Sequence, residues 1–194
     1  MDGSLVTVAG LCDLRGINFT KGVDNFWTQI SIQENLNIPE IKPEIEQITG
    51  VNVAVRIIRK KVIITPGTDS CPNFEGKLLT GRKLIVEGEL CQTISYIAAR
   101  SEQPVHSARF VIPFSAFIVI PKTVRVWFKD EDQDQEVDSL HITFQINTCL
   151  EDVFVKKVTS REIFDNVMLL LQAVPLTVNV CHDEQLNNMC KKEE

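Results

Sequence analysis

The sequence predicts a mainly β protein, either an antiparallel β-sandwich or a barrel-like sheet, with one short helix near 43–48. The first observation is that apolar side chains occupy every second position in two long runs within 82–120. A side-chain period of two is typical of a strand with one buried and one wet face. The second observation is the enrichment of strand candidates in Val, Ile, Thr and Phe.

The region 82–120 is predicted to be a long hairpin, because its two alternating runs flank a polar turn. One parity of the first run is apolar and the other carries polar groups and one thiol. We expect the apolar parity of both runs to face the core. These core positions are Leu84, Val86, Leu90, Ile94 and Tyr96, then His106, Ala108, Phe110, Ile112, Phe114, Ala116 and Ile118.

The remaining strand candidates follow in order along the chain, each supported by alternation or by β-branched residues. In 140–149, Leu140, Ile142, Phe144 and Ile146 share one parity. In 51–64 the apolar parity shifts by one residue, which predicts a β-bulge near 58–61. The full set of candidates is 4–14, 26–33, 51–64, 83–99, 105–120, 123–129, 140–149, 152–158 and 167–180.

The short helix is predicted over Pro43–Ile48, where a proline and a glutamate begin the segment and Gly50 follows it. The stretch 161–171 has the length of a helix but lacks a 3.6-residue period. We therefore interpret it as a loop that enters a buried strand.

Composition excludes several classes of protein. A net charge of −6 over 194 residues argues against a general nucleic-acid binder, which needs a basic face. The N-terminus has no basic stretch followed by an apolar core, so no secretory signal is expected. No apolar run is long enough to span a membrane. The protein is therefore expected to be made in a cytoplasm.

Motifs that carry chemistry are incomplete, so no catalytic, cofactor-binding or metal-binding residue is assigned and the chain is not expected to be an enzyme. The segment Gly76–Lys83 has the outline of a phosphate-binding loop, but arginine follows its second glycine. We expect a turn there, with Gly81 at positive φ. Cys181, His182 and Cys190 lack the paired spacing of a zinc site. The acidic run 130–138 lacks the glycine of a calcium loop and is interpreted as a solvated hairpin loop.

Six cysteines are scattered along the chain, which is unusual for a cytoplasmic protein. Strand parity predicts that Cys91, Cys149 and Cys181 point outward, although cysteine is usually buried. One hypothesis is that the thiols cross-link subunits in an oxidising assembly, and the other is that they lie on a reduced surface. The candidates for disulfides between subunits are Cys12, Cys71, Cys91, Cys149, Cys181 and Cys190.

Several short segments form a distinctive set: NLNIPEIKPEIEQI at 35–48, LTGRKLIVEG at 79–88, ISY at 94–96, QPVHSA at 103–108, PF at 113–114, FIV at 117–119 and EDV at 151–153. Through these segments the chain resembles the SPOCS domain family of spore-forming Firmicutes, especially clostridia. The resemblance implies a role in the spore envelope. We expect N-terminal strands or an arm over 1–34, a SPOCS-like β domain over 35–181 and, from its polar composition, a tail over 182–194.

Family members occur in coat morphogenetic proteins, often in several copies and followed by a peptidoglycan-binding LysM module. This chain has a single copy and no space for LysM, so the resemblance implies a small building block. We expect a non-enzymatic structural protein of the coat, exosporium or an appendage. It would be made in the mother-cell cytoplasm and deposited on the spore surface. Its expected partners are itself and other envelope proteins, with disulfides fixing contacts made through sheet edges or strand addition.

Two rival functions follow from the same resemblance. The first is a monomeric adaptor that docks a coat morphogenetic protein in the mother cell without polymerising. The second is a binder of glycan or peptidoglycan, although two Trp and one Tyr offer little aromatic surface for stacking on sugars.

Overall fold

Nine strands make up most of the chain in the computed structural model, which describes residues 6–13, 26–68, 71–75, 77–128 and 133–176. A single-turn 3₁₀ helix at Ser139–His141 separates the seventh and eighth strands. The strands are β1 (Thr7–Ala9), β2 (Phe26–Asn37), β3 (Ile45–Gly67), β4 (Thr80–Ala98), β5 (Val105–Val119), β6 (Thr123–Phe128), β7 (Gln133–Asp138), β8 (Phe144–Lys157) and β9 (Glu162–Pro175). The predicted mainly β class is therefore confirmed.

Two sheets pack face to face as a sandwich, which decides between the two predicted architectures. The first sheet has the strand order β1-β3-β4-β5 and the second has the order β2-β9-β8. Strands β6 and β7 form a separate antiparallel ribbon. Every pair is antiparallel except β1 with β3, which is parallel. One continuous apolar core takes side chains from both sheets.

The predicted hairpin 82–120 forms the centre of the first sheet. Strands β4 and β5 pair from Lys83 with Val119 to Ile97 with Val105. The inward row of β4 is almost wholly buried, and the alternation of its burial matches the alternation of its sequence. Burying each such side chain stabilises the fold by about 1.5–3 kcal/mol. The buried members predicted from parity are Leu84, Val86, Leu90, Ile94 and Tyr96.

The parity change in β3 is a β-bulge, as the sequence predicts. The register with β4 shifts between Ile57 and Arg59, so Ile58 is the extra residue. Gly81, at the start of β4, has φ 78°, which confirms the predicted turn conformation. A left-handed φ of this kind favours glycine because it has no Cβ.

The predicted helix over 43–48 is wrong, because strand β3 begins at Ile45. The Ile45 amide donates to the Ser160 carbonyl at 2.7 Å, and Ile45 pairs with Ala98 of β4. Ile45 and Ile48 are both buried in the core. Local signals for a helix start are weak, and pairing with distant strands outweighs them here.

Three more predictions near the second sheet need correction. Leu140 is exposed in the 3₁₀ turn rather than buried in a strand, because the Asp138 carboxylate accepts a hydrogen bond from its amide at 2.9 Å. Strand β8 then runs unbroken from Phe144 to Lys157, joining two predicted strands. The segment interpreted as a loop at 161–171 is the first part of β9, which begins at Glu162.

Candidate functional site: the open side of the sandwich and its cysteines

An N-terminal strap, residues 6–13, bridges the two sheets on one side of the sandwich. Its strand β1 pairs with Gly50–Asn52 of β3, in the first sheet. Gly10 follows with φ +103°, and a Cβ there would lie 2.2 Å from the Val53 carbonyl oxygen. The Cys12 amide then donates to the Leu150 carbonyl of β8, in the second sheet, at 3.1 Å. The strap thus connects the edges of both sheets.

A disulfide joins Cys12 to Cys149 within the chain, across a sequence separation of 137 residues and a Cα–Cα distance of 5.3 Å. The expectation that Cys149 points outward into solvent is wrong, because Cys149 is 2% exposed. The alternation of side chains within β8 carries no information about the strap, which covers Cys149. In this structure Cys12 and Cys149 are bonded to each other rather than between subunits.

Two cysteines of the described residues are free, Cys71 and Cys91. Cys71 is exposed, and Cys91 is half-buried on the outer face of β4, between the buried Leu90 and Gln92. The outward orientation expected for Cys91 is therefore confirmed. Cys181, His182 and Cys190 lie outside the described residues, as do the tail 182–194, the last part of the strand predicted at 167–180, Gly76 and positions 130–132 of the acidic run.

A groove opens between the strap and β8, and we call it the edge groove. It encloses about 1020 Å³ between the edges of the two sheets. Hydrogen bonds close both of its ends, one from Ile45 to Ser160 and the other from Cys12 to Leu150. Its lining residues are Val6, Val8, Glu46, Gln47, Ile48, Val153, Phe154, Val155, Lys156 and Lys157.

Unpaired strand edges line this groove. Within the described part of the chain, β8 pairs only with β9, and β1 covers β3 only at Gly50–Asn52. The Lys157 ammonium donates to the Glu46 carbonyl at 3.0 Å and so joins the two edges at one point. Exposed sheet edges present amide and carbonyl groups that can pair with another extended segment.

The opposite side of the sandwich brings β5 near β2. The outer face of β5 carries exposed apolar side chains at Val105, Val111, Phe117 and Val119. Pro113 lies in the middle of this edge strand and cannot donate a ladder hydrogen bond. This side is therefore less suited to strand pairing than the edge groove.

More than half of the chain matches a known protein family. The family model described as "SipL, SPOCS domain" matches residues 44–147, more than half of the chain. The chain belongs to the SPOCS domain family. No curated protein and no solved structure matches it. Membership in this family indicates a role related to sporulation.

The SPOCS match covers only part of the sandwich. It spans β3, β4, β5, the β6–β7 ribbon and the first residues of β8. The strap, β2 and β9 lie outside the matched span, and so do the residues of β8 that line the edge groove. The groove of this SPOCS protein is thus built partly from segments beyond the family match.

A polar pair that the sequence did not reveal lies inside this SPOCS sandwich. The Gln92 amide of β4 donates to the Asp165 carboxylate of β9 at 2.8 Å, and both residues are buried. Burial raises the pKa of Asp165 to about 6, the Gln92 hydrogen bond opposes this rise, and the charge of Glu34 adds to it. Gln92 is polar in an apolar row, which is a usable signal, whereas Asp165 fell in the segment interpreted as a loop.

Two arginines of β3 form ion pairs at the surface of the SPOCS sandwich. Arg56 pairs with Glu89 and Arg59 with Glu87, across β3 and β4. The Arg59 hydrogen bond lowers the pKa of Glu87. Lys60 donates to the Phe144 carbonyl. These contacts occupy three basic side chains on this part of β3.

Two features are absent from the described residues. No helix there is long and apolar enough to cross a membrane. No group of three or more His, Cys, Asp or Glu side chains there could hold a metal ion.

Proposed function

We propose that this SPOCS protein is a non-enzymatic structural component of the bacterial endospore envelope, in the coat, the exosporium or an appendage. It is made in the mother-cell cytoplasm and deposited on the spore surface, where copies associate and disulfides fix the contacts. The observation that carries the proposal is the edge groove, since a strand edge that is unpaired among the described residues offers a site for joining another chain.

A building-block role is also supported by the burial of the Asp165 carboxyl. The group with the largest pKa shift in the described residues, Asp165, is sealed between the two sheets. A catalytic carboxyl has to reach its substrate within hydrogen-bond distance. Asp165 has no such access, so we assign it to the core rather than to catalysis.

The free thiols support cross-linking in a mature envelope. Cys71 is exposed and Cys91 is half-buried on an outer face, so an oxidant or a partner thiol can reach both. We propose these two as inter-subunit cross-links, and Cys181 and Cys190 as further candidates in the C-terminal segment. The Cys12–Cys149 bond, by contrast, stabilises a single subunit.

The test combines location with association. Immunogold electron microscopy of spores should place the protein in the envelope, and concentrated recombinant protein should form filaments or sheets in negative stain. Spore extracts should show covalent multimers on non-reducing gels that collapse to monomer after reduction. Monomer in both lanes would contradict cross-linking.

The adaptor alternative has a distinct outcome in the same assays. A stable monomer by light scattering, together with a defined complex with a coat morphogenetic protein, would favour the adaptor. Retention on purified cell-wall material would instead favour the peptidoglycan binder.

A further inference from the structure

Within the described part of the chain, no strand lies between the two walls of the edge groove. Its β8 wall is the five-residue edge Val153–Lys157, and its other wall is β1 together with residues 46–48 of β3. An extended segment between these walls would find backbone groups to pair with on β8. The two closed ends of the groove limit such a segment to a few residues.

The floor of the groove is apolar and only half covered. Val6, Val8 and Val155 pack against the core, yet each remains partly exposed. Ile48 and Val153 lie buried beneath them. A segment with apolar side chains at alternate positions would cover this floor and direct its other side chains to solvent.

The chain leaves the sandwich at the end far from the groove. Pro175, the last residue of β9, pairs with Phe144 at the start of β8, whereas the groove lies near the other end of β8, where Lys157 pairs with Ile163. Phe144 and Val155 are roughly 36 Å apart along the strand, since a strand rises about 3.3 Å per residue. The C-terminal segment therefore starts at one end of the molecule and the groove lies towards the other.

The C-terminal segment has the composition that the groove requires. It continues from Leu176 with Thr177, Val178, Asn179, Val180 and Cys181. Val178 and Val180 share one parity, and β-branched residues of this kind favour strands. The N-terminal residues 1–5, Met-Asp-Gly-Ser-Leu, precede the groove in sequence but have no two apolar side chains at alternate positions.

We propose that residues 177–181 of a second copy add as a strand to β8 in the edge groove, with Val178 and Val180 on its apolar floor. The proposal rests on the self-association given above as the function, and names the donor and the acceptor. Because exit and groove lie at opposite ends, the contact is head-to-tail. A head-to-tail contact extends into a filament when its rotation does not close a ring.

The donor test uses the full chain with the double substitution Val178→Asp and Val180→Asp. The matched control places the same two charges on the other parity, by Thr177→Asp and Asn179→Asp. We expect the first variant to raise the concentration needed for assembly by about tenfold or more, because it would bury two unpaired carboxylates. The control should assemble like the wild-type protein, as measured by light scattering and negative-stain microscopy.

The acceptor test uses Val155→Asp, with Val111→Asp on the exposed outer face of β5 as its control. Circular dichroism first establishes that each variant is folded. The donor variant keeps an intact groove, and the acceptor variant keeps an intact C-terminal segment. An equimolar mixture should therefore form a 1:1 dimer that does not extend, while each variant alone stays monomeric.

Each outcome separates the specific proposal from the general function. Wild-type assembly that the donor substitutions leave unchanged would overturn the groove assignment and leave self-association standing. Equal loss of assembly in the donor variant and its control would also overturn it. A wild-type protein that stays monomeric under all conditions would overturn both. If Val155→Asp fails to fold, the comparison of the donor variant with its control still tests the groove assignment.

Discussion

The Gln92 amide nitrogen lies 2.8 Å from the Asp165 carboxylate, and this hydrogen bond links the central strands of the two sheets. The second oxygen of Asp165 and the amide oxygen of Gln92 have no hydrogen-bond partner among the described residues. A half-satisfied polar pair in an apolar core costs stability while it restricts how the sheets align. The pair is therefore a sensitive point for mutation and for pH.

Stability should fall as pH rises through the range in which Asp165 loses its proton. Burial raises the folded-state pKa from 3.8 to about 6, so between these values the folded protein holds more protons than the unfolded chain. The free energy of unfolding should decrease by about 3 kcal/mol from pH 4 to above pH 6. Urea unfolding across this range measures it, and a curve that rises with pH would contradict the assignment.

Asp165→Asn should remove most of this pH dependence. The asparagine keeps the acceptor for Gln92 and adds a donor that can reach the unpaired Gln92 oxygen. At pH 8 we expect the variant to be more stable than the wild type by about 1–3 kcal/mol, because it buries no charge. Gln92→Leu is the contrasting variant, since it leaves the carboxylate unpaired and should be destabilised at pH 8.

Removal of the strap disulfide should destabilise the protein. The Cys12→Ser and Cys149→Ser double variant loses a cross-link over a separation of 137 residues. The expected loss is about 2–5 kcal/mol in the free energy of unfolding, measured under non-reducing conditions. Cys71→Ser with Cys91→Ser is the matched control and should unfold like the wild type, since both thiols are free.

Gly10→Ala should detach the strap without touching the disulfide sulfurs. A Cβ at this position would lie 2.2 Å from the Val53 carbonyl oxygen, and φ of +103° is strained for alanine. We expect a loss of about 2 kcal/mol or more and faster hydrogen exchange of the β1 amides. Leu11→Ala, at an exposed position of the same strap, should change both quantities little.

Thiol labelling should separate the four described cysteines by accessibility. In the native, unreduced protein, Cys71 should alkylate first and Cys91 more slowly, because Cys71 is exposed and Cys91 is half-buried. Cys12 and Cys149 should stay unlabelled until a reductant is added. Peptide mass spectrometry reads the order, and early labelling of Cys149 would contradict the strap disulfide.

Features set by local alternation were predictable. The inward row from Leu84 to Tyr96, the bulge at Ile58 and the turn at Gly81 all follow from residue parity or from backbone sterics within a few positions. Segments whose state depends on a distant partner were not. Ile45 is a strand residue because it pairs in register with Ala98 and its amide donates to the Ser160 carbonyl, and local signals at 43–48 carry no information about these partners.

The edge groove also depends on distant partners and was not predictable from local sequence. Its walls belong to β1, β3 and β8, which are far apart in the chain, so no single segment predicts it. The Gln92 position was detectable as a polar residue in an apolar row. Its partner was not, since the register between facing sheets depends on how the whole core packs.

The sequence by itself determined the mainly β class, the central hairpin and the SPOCS resemblance, because side-chain alternation and short motifs are local properties. Only the tertiary structure decided that Cys12 bonds to Cys149, that Cys149 is buried, and that a groove lies between the sheet edges of the described residues. These outcomes depend on which sheet edges meet and on the strap that crosses between them. Both depend on packing between residues more than a hundred positions apart, which local sequence patterns do not encode.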